Sequence, residues 1–167
     1  MRYTPAALAL AALVAIQSSV GMAAQEPADP RAAALVTQGE ASLAAGETQS
    51  AIDAFEAALV IDPAYSDAYV HLADVARAEG LQGKAIHYYR MVLEREPRNF
   101  TAMAGEGAAL AEKGATERAR RTLAQLESLC GADCAETREL AALIEAGPAE
   151  PVLAAEDVMP DMTVQQN

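Results

Sequence analysis

Cys130 and Cys134, in the run Cys130-Gly131-Ala132-Asp133-Cys134, are the only thiols in the 167 residues, and His71 and His87 are the only imidazoles. The thiol spacing is not the C-x-x-C of a thioredoxin-like oxidoreductase. No C-x-x-C-H haem site occurs, and two cysteines without a nearby histidine are too few for a structural zinc site. Three readings of the pair stand: a short structural disulfide, which an oxidising compartment favours, two free thiols, or a thiol-redox site. Gly131 suits the sharp turn that brings the sulfurs together. His71 and His87 are 16 residues apart and neither falls in a metal-ligand motif, so both read as partly exposed helix residues. A G-x-S-x-G elbow, a Gly-rich phosphate loop and H-E-x-x-H are all absent. The chemistry-bearing residues therefore point away from an enzyme, and no cofactor or metal is expected.

The elements that position these residues repeat. The stretch from Gly46 to Pro63 returns as Gly80 to Pro97: Gly46 and Gly80, Ala51 and Ala85, Ile52 and Ile86, Phe55 and Tyr89, Leu59 and Leu93, Pro63 and Pro97 all stand 34 residues apart. Gly114, Ala119 and Leu123 continue the phase into a third copy, and Gly131 takes the proline slot. A fixed period of this length denotes stacked units, each burying its apolar face on the next. Within Ser50 to Ile61 the apolar positions Ala51, Ile52, Phe55, Ala58 and Leu59 recur at three- and four-residue spacing, the signature of one helical face. Alanines allow close helix crossings, and Phe55, Tyr89 and Leu123 are expected to fill the gaps between layers. Gly46, Gly80 and Gly114 are expected to end the first helix of each pair in a left-handed cap. Thr48 and Thr116 are expected to cap second helices, and Ser66 and Asn99 the next first helices. Pro63 and Pro97 stop the second helices.

An A-x3-F pattern near the end of a 34-residue unit with a closing Pro resembles the tetratricopeptide repeat, whose second helix carries that pattern and whose first carries W-x2-L-G-x2-Y. Ala51 with Phe55, Ala85 with Tyr89 and, in part, Ala119 with Leu123 match the second-helix pattern. The first-helix pattern is looser: Leu35, Tyr69 and Met103 stand in the bulky slot, and Gly39, Ala73 and Gly107 in the small one. The resemblance implies an all-α protein, an α-solenoid of three tetratricopeptide-type helix pairs plus a C-terminal capping helix. Its repeats are 32–65, 66–99 and 100–133, and its cap is 135–146, where Leu140, Ala141 and Ile144 continue the buried slots.

Residues 1–23 read as a secretory signal peptide, with Arg2, a short apolar core and the small-x-small site Gly21-Met22-Ala23; cleavage after Ala24 fits as well. The apolar run is about 12 residues where about 20 are needed to span a bilayer, so no membrane anchor is expected after cleavage. An exported, periplasmic or secreted chain follows. Residues 24–31 form a linker in which Asp29-Pro30 can start a helix. Residues 147–167, with Pro148, Pro151 and Pro160 and a run of acids, read as a disordered acidic tail.

Acids number 24 against 12 Lys and Arg, and loss of the leader removes only Arg2, deepening the net charge from −12 to −13. That balance argues against nucleic acid and anionic lipid as partners. Arg118, Arg120 and Arg121 form a local basic cluster, interleaved with Glu117 and read as a solvated face.

The resemblance further implies that the first helices line a groove for peptide segments. By slot, the groove here presents Val36, Glu40 and Leu43, then Asp67, Val70, His71, Asp74 and Arg77, then Ala104, Ala108 and Glu112. The family branch that clamps a C-terminal carboxylate needs cationic and amide donors where this chain has Val36, Glu40, Thr101 and Gly105, so that specificity is not expected. The reading is a protein–protein interaction scaffold for a peptide segment of another exported or envelope protein. A thiol-redox accessory role for Cys130 and Cys134 is the alternative, and self-association through an open end of the solenoid is a further one.

Overall fold

The computed structural model describes residues 27–147; residues 1–26, with the expected leader and the first residues of the expected linker, and 148–167, expected as an acidic tail, lie outside them. Those residues form seven helices: α1 (Pro30–Ala44), α2 (Thr48–Ile61), α3 (Ser66–Ala78), α4 (Gln82–Arg95), α5 (Phe100–Glu112), α6 (Thr116–Cys130) and α7 (Ala135–Ala146). The pairs are α1 with α2, α3 with α4, and α5 with α6. Each pair packs on the next through α2 on α3 and α4 on α5, and α7 closes the stack against both α5 and α6. The chain is an all-α helical repeat solenoid.

Gly46, Gly80 and Gly114 have φ of 79°, 75° and 82°. In each turn the glycine N–H reaches back three residues and the following N–H five, as in Glu47 N–H to Ser42 O at 2.8 Å. This double bond pattern satisfies the last carbonyls of the first helix and needs a left-handed residue. The second helices end differently: Asp62 and Glu96, each preceding a proline, leave the helical region at φ −129° and −124°. Gly131, with φ 99°, ends α6 in the prolines' place.

The tight first turn also corrects two of the caps, and burial corrects a third. Thr48 and Thr116 lie one residue inside α2 and α6 and make no capping hydrogen bond. The preceding residues, Glu47 and Ala115, already donate backwards to Ser42 and Leu110 and accept from Ala51 and Ala119, so their main chain starts the helix. Ser66 is the first residue of α3 and is buried, its hydroxyl donating to Glu96 instead of to a helix N–H. Asn99 and Asp29 do cap, accepting from Ala102 N–H at 2.9 Å and Arg31 N–H at 2.8 Å.

Glycines on first helices serve a second purpose. A β-carbon at Gly39 would run into the Phe55 ring, and one at Gly105 into the Tyr89 ring. Both rings are fully buried, so hollow and filler close the layer within the first repeat at Gly39 and the layer between the second and third at Gly105. In the third, the hollow at Gly107 is filled by Leu140 of α7 with Thr122 beside it. Leu123, expected as the filler, is only half-buried for that reason, and Leu126 is the large side chain of α6 that is fully buried, with Ala119.

Candidate functional site

The groove residues expected from the slots lie on α1, α3 and α5. Val36 and Ala108 are 5% and 4% exposed and form floor rather than surface. Leu43, Val70 and Ala104 are half-buried, and Glu40, Asp67 and Asp74 are exposed.

The polar members are tied together across helices. His71 Nε2 is 3.1 Å from Glu40 Oε1, linking α3 to α1. The His71 ring stacks on Phe55, with centroids 4.9 Å apart and planes within 9°. Arg77 Nε is 3.7 Å from Glu112 Oε1, linking α3 to α5, while Gln82 Nε2 donates to the other oxygen of Glu112 at 3.0 Å. Partial burial raises the Glu112 pKa, with Arg77 pulling the other way. The Tyr89 hydroxyl donates to Asp74. Burial and the Asp74 carboxylate push that phenol far above its ordinary value, so it remains a donor. Asp67 makes none of these contacts; it stands at the edge of the face, where it and Glu40 both act on the Tyr65 phenol, and it borders an adjoining cleft.

That cleft, about 750 Å³ and open to solvent, lies between residues 27–29, the α2–α3 turn and the end of α4, with Asp29, Asp62, Asp67, Glu96, Tyr65 and Arg95 on its walls. Hydrogen bonds from Arg31 hold the Asp29 carboxyl at about 2. Burial, reinforced by Asp67, raises the Tyr65 phenol. Slot reasoning did not find this cleft, because it is built from turn residues that the helix pattern leaves unassigned. The roles of Phe55 beneath His71, of Gln82 and of the Tyr89 hydroxyl were also missed. The paired residues Glu40 with His71 and Arg77 with Glu112 are 31 and 35 residues apart. Complementary polar residues at one period give or take about a helical turn are the signal that would have found them.

Away from this face, the Cys130 and Cys134 sulfurs stand at disulfide-bonding distance, with Cα atoms 5.8 Å apart. The bond staples the α6–α7 turn where the inter-repeat proline is missing, a geometry that favours a structural use over a redox one. His87 and Arg118, Arg120 and Arg121 are exposed on second helices, and Arg120 pairs with Glu117 at 2.6 Å. No helix among the described residues is long and apolar enough to cross a membrane.

Helix pairing and cap geometry together define a tetratricopeptide-type fold, and solved structures agree. The chain is similar to the first TPR of Spaghetti (RPAP3) bound to HSP90 peptide SRMEEVD, with TM-score 0.62 and 19% identity over 70% of this chain and 92% of that one. It is similar to the Sgt2 TPR domain from Aspergillus fumigatus, with TM-score 0.64 and 20% identity over 75% and 90%. The MamA protein matches with TM-score 0.55 and 26% identity over 74% of this chain and 60% of that one. No protein-family model matches the sequence, and no curated protein is significantly similar to it.

Proposed function

We propose that the protein is an interaction scaffold whose α1–α3–α5 face holds a peptide segment of an exported partner, apolar in its centre and basic at its flanks. The observation that carries this reading is the charge of the face. Glu40, Asp67, Asp74 and Glu112 stand against Arg77, and the clamp positions hold Val36, Glu40, Thr101 and Gly105. The similar Spaghetti domain is bound to a peptide, SRMEEVD, that is acid-rich towards its end. The same fold with an acidic face suits a ligand of opposite sign. Leu43, Val70 and Ala104 supply apolar contact, and the carboxylates set on-rate and partner choice. An exported partner follows from the leader expected in residues 1–23 and from the cysteine pair, which an oxidising compartment would keep joined.

The test is capture of partners from native envelope by the mature chain, comparing Glu40→Lys with Asp67→Lys against the second-helix reversal Asp53→Lys with Glu56→Lys. Asp67 is preferred to Asp74 because Asp74 also holds Tyr89. Loss of capture with the first pair alone is expected. Capture that survives the first pair and fails with the second would move the functional surface to the second helices. Intact mass of the exported material reports the leader: a start near Ala24 and one internal disulfide are expected.

A further inference from the structure

The α6–α7 turn brings a carboxylate to the two sulfurs. The Sγ atoms of Cys130 and Cys134 and a carboxylate oxygen of Glu136 lie within 4.8 Å of one another, and all three residues are half-buried. A search of the sequence for cysteine and histidine spacing misses this set, because its third donor is a glutamate in the first turn of α7. Glu136 Oε2 is 2.8 Å from Cys134 Sγ. Joined to Cys130, that sulfur has no proton to share, and the contact sets a carboxylate oxygen against lone pairs. As a thiol the sulfur donates to the carboxylate; as a thiolate it repels the carboxylate unless a cation lies between them.

The donors select the cation. Two thiolates favour a thiophilic ion, and zinc also accepts a carboxylate, with bonds of about 2.3 Å to Cys sulfur and about 2.0–2.2 Å to Asp or Glu oxygen. Bonds of that length set the ligand atoms of a tetrahedral site roughly 3.5–3.8 Å apart, a spacing within the reach of these three side chains. Cα atoms 5.8 Å apart place Cys130 and Cys134 on either side of one ion. Cys134 is the N-cap of α7, and a helix N-terminus favours the thiolate that a metal needs. Three protein ligands leave the fourth position to water. Ca²⁺ and Mg²⁺, which take oxygen ligands, are poorly served by two sulfurs.

We infer that, once reduced, Cys130, Cys134 and Glu136 bind one Zn²⁺ ion, so that a metal clasp takes the place of the disulfide at the α6–α7 turn. A dithiol reductant opens the bond by exchange: two electrons and two protons pass to the cysteine sulfurs, and the reductant leaves as its own disulfide. Zn²⁺ then displaces the two thiol protons to solvent and is held by two thiolates and the Glu136 carboxylate. The two states exclude each other, since sulfurs joined to each other offer no thiolate. The inference does not rest on the groove reading, because the clasp uses α6 and α7 and the groove uses α1, α3 and α5.

Metal titration of the mature chain tests it, with the oxidised protein set beside protein reduced by a dithiol and desalted without oxygen. Added Cd²⁺ should give the reduced chain an ultraviolet thiolate-to-metal charge-transfer band that saturates at one ion per chain and is bleached by Zn²⁺. The oxidised chain should give no band. Glu136→Gln, which keeps both thiols, should weaken Zn²⁺ binding at least about tenfold. Asp133→Asn, at the nearby carboxylate that is not among the three donors, should leave it unchanged. Hydrogen-exchange protection of α7, lowered by reduction, should return when Zn²⁺ is added. No band on the reduced chain, or equal affinity with Glu136→Gln, would overturn the inference. So would one ion shared by two chains, or an α7 that stays unprotected with the metal bound.

Discussion

From α1 to α5 an aromatic ring of a second helix enters a glycine hollow on a first helix, Phe55 at Gly39 of α1 and Tyr89 at Gly105 of α5. Where α5 to α7 stack, Leu140 from the closing helix fills the hollow at Gly107, and a Cys130–Cys134 bond stands where the earlier repeats have Asp62-Pro63 and Glu96-Pro97. Gly39 and Gly107 stand in the same slot two periods apart, so this hollow recurs while the group that fills it changes with what lies next in the stack: the ring of the same repeat at Gly39, the closing helix at Gly107. Gly105, two residues earlier on α5, takes the ring of the preceding repeat.

The sharpest way to break this comparison is to empty a hollow. Phe55→Ala should cost about 3–5 kcal/mol in urea unfolding, since the ring is fully buried with glycine on one side. A cost below about 1 kcal/mol would place the ring outside the core. In the third repeat the cost should fall on Leu126, not on the slot residue. Leu126→Ala is expected to lose about 2–4 kcal/mol, and the half-buried Leu123→Ala about 1 kcal/mol or less. Equal losses would restore the uniform repeat.

Next in size is the staple. Replacing Cys130 and Cys134 together by serine should lower stability by roughly 2 kcal/mol, the chain-entropy value for so short a loop. Hydrogen-exchange protection should fall mainly in α7 and late α6. Loss spread evenly over all seven helices would mean that the bond does not act on one end.

The smallest effects separate the two ends by pH. Asp29, at the start of α1, has a carboxyl lowered from 3.8 to about 2 by hydrogen bonds from Arg31. Its contribution is complete above the ordinary value and is lost as pH falls through about 2. Glu112, at the end of α5, is shifted upwards by burial, so its contribution is present at low pH and is lost as pH rises through its folded value. Glu112→Gln should therefore flatten the stability profile on the alkaline side of the carboxylate range, and Asp29→Asn on the acid side. Unfolding midpoints measured across pH check both signs.

Much of this architecture was legible in the chain because glycine and proline act locally. Gly46, Gly80 and Gly114 each need only a positive φ, and Pro63 and Pro97 each bar the helix before them, so the turns followed from residue type. Thr48 and Thr116 misled because capping preference competes with the turn before it. The backward bonds of Glu47 and Ala115 start the helix one residue early, a constraint invisible to a propensity. Leu123 misled because its slot neighbour Leu140 comes from outside the repeat. The slots place the expected groove residues on α1, α3 and α5, but not the state of each side chain. Whether Val36 and Ala108 are floor, and whether Glu40 meets His71, depends on contacts between helices a full period apart. The cleft at Tyr65 and Asp67 had no sequence signal, since turns carry its walls.

Binding sign tests the central claim most directly. Immobilised mature protein should be offered peptides that share one apolar centre and differ only in flanks, Lys and Arg in one set, Asp and Glu in the other. Retention of the basic set, weakening as salt rises and abolished by Glu40→Lys with Asp67→Lys, is the expected result. Preferential retention of the acidic set, or basic binding that survives the reversal, would contradict an acidic groove on α1, α3 and α5 as the recognition surface.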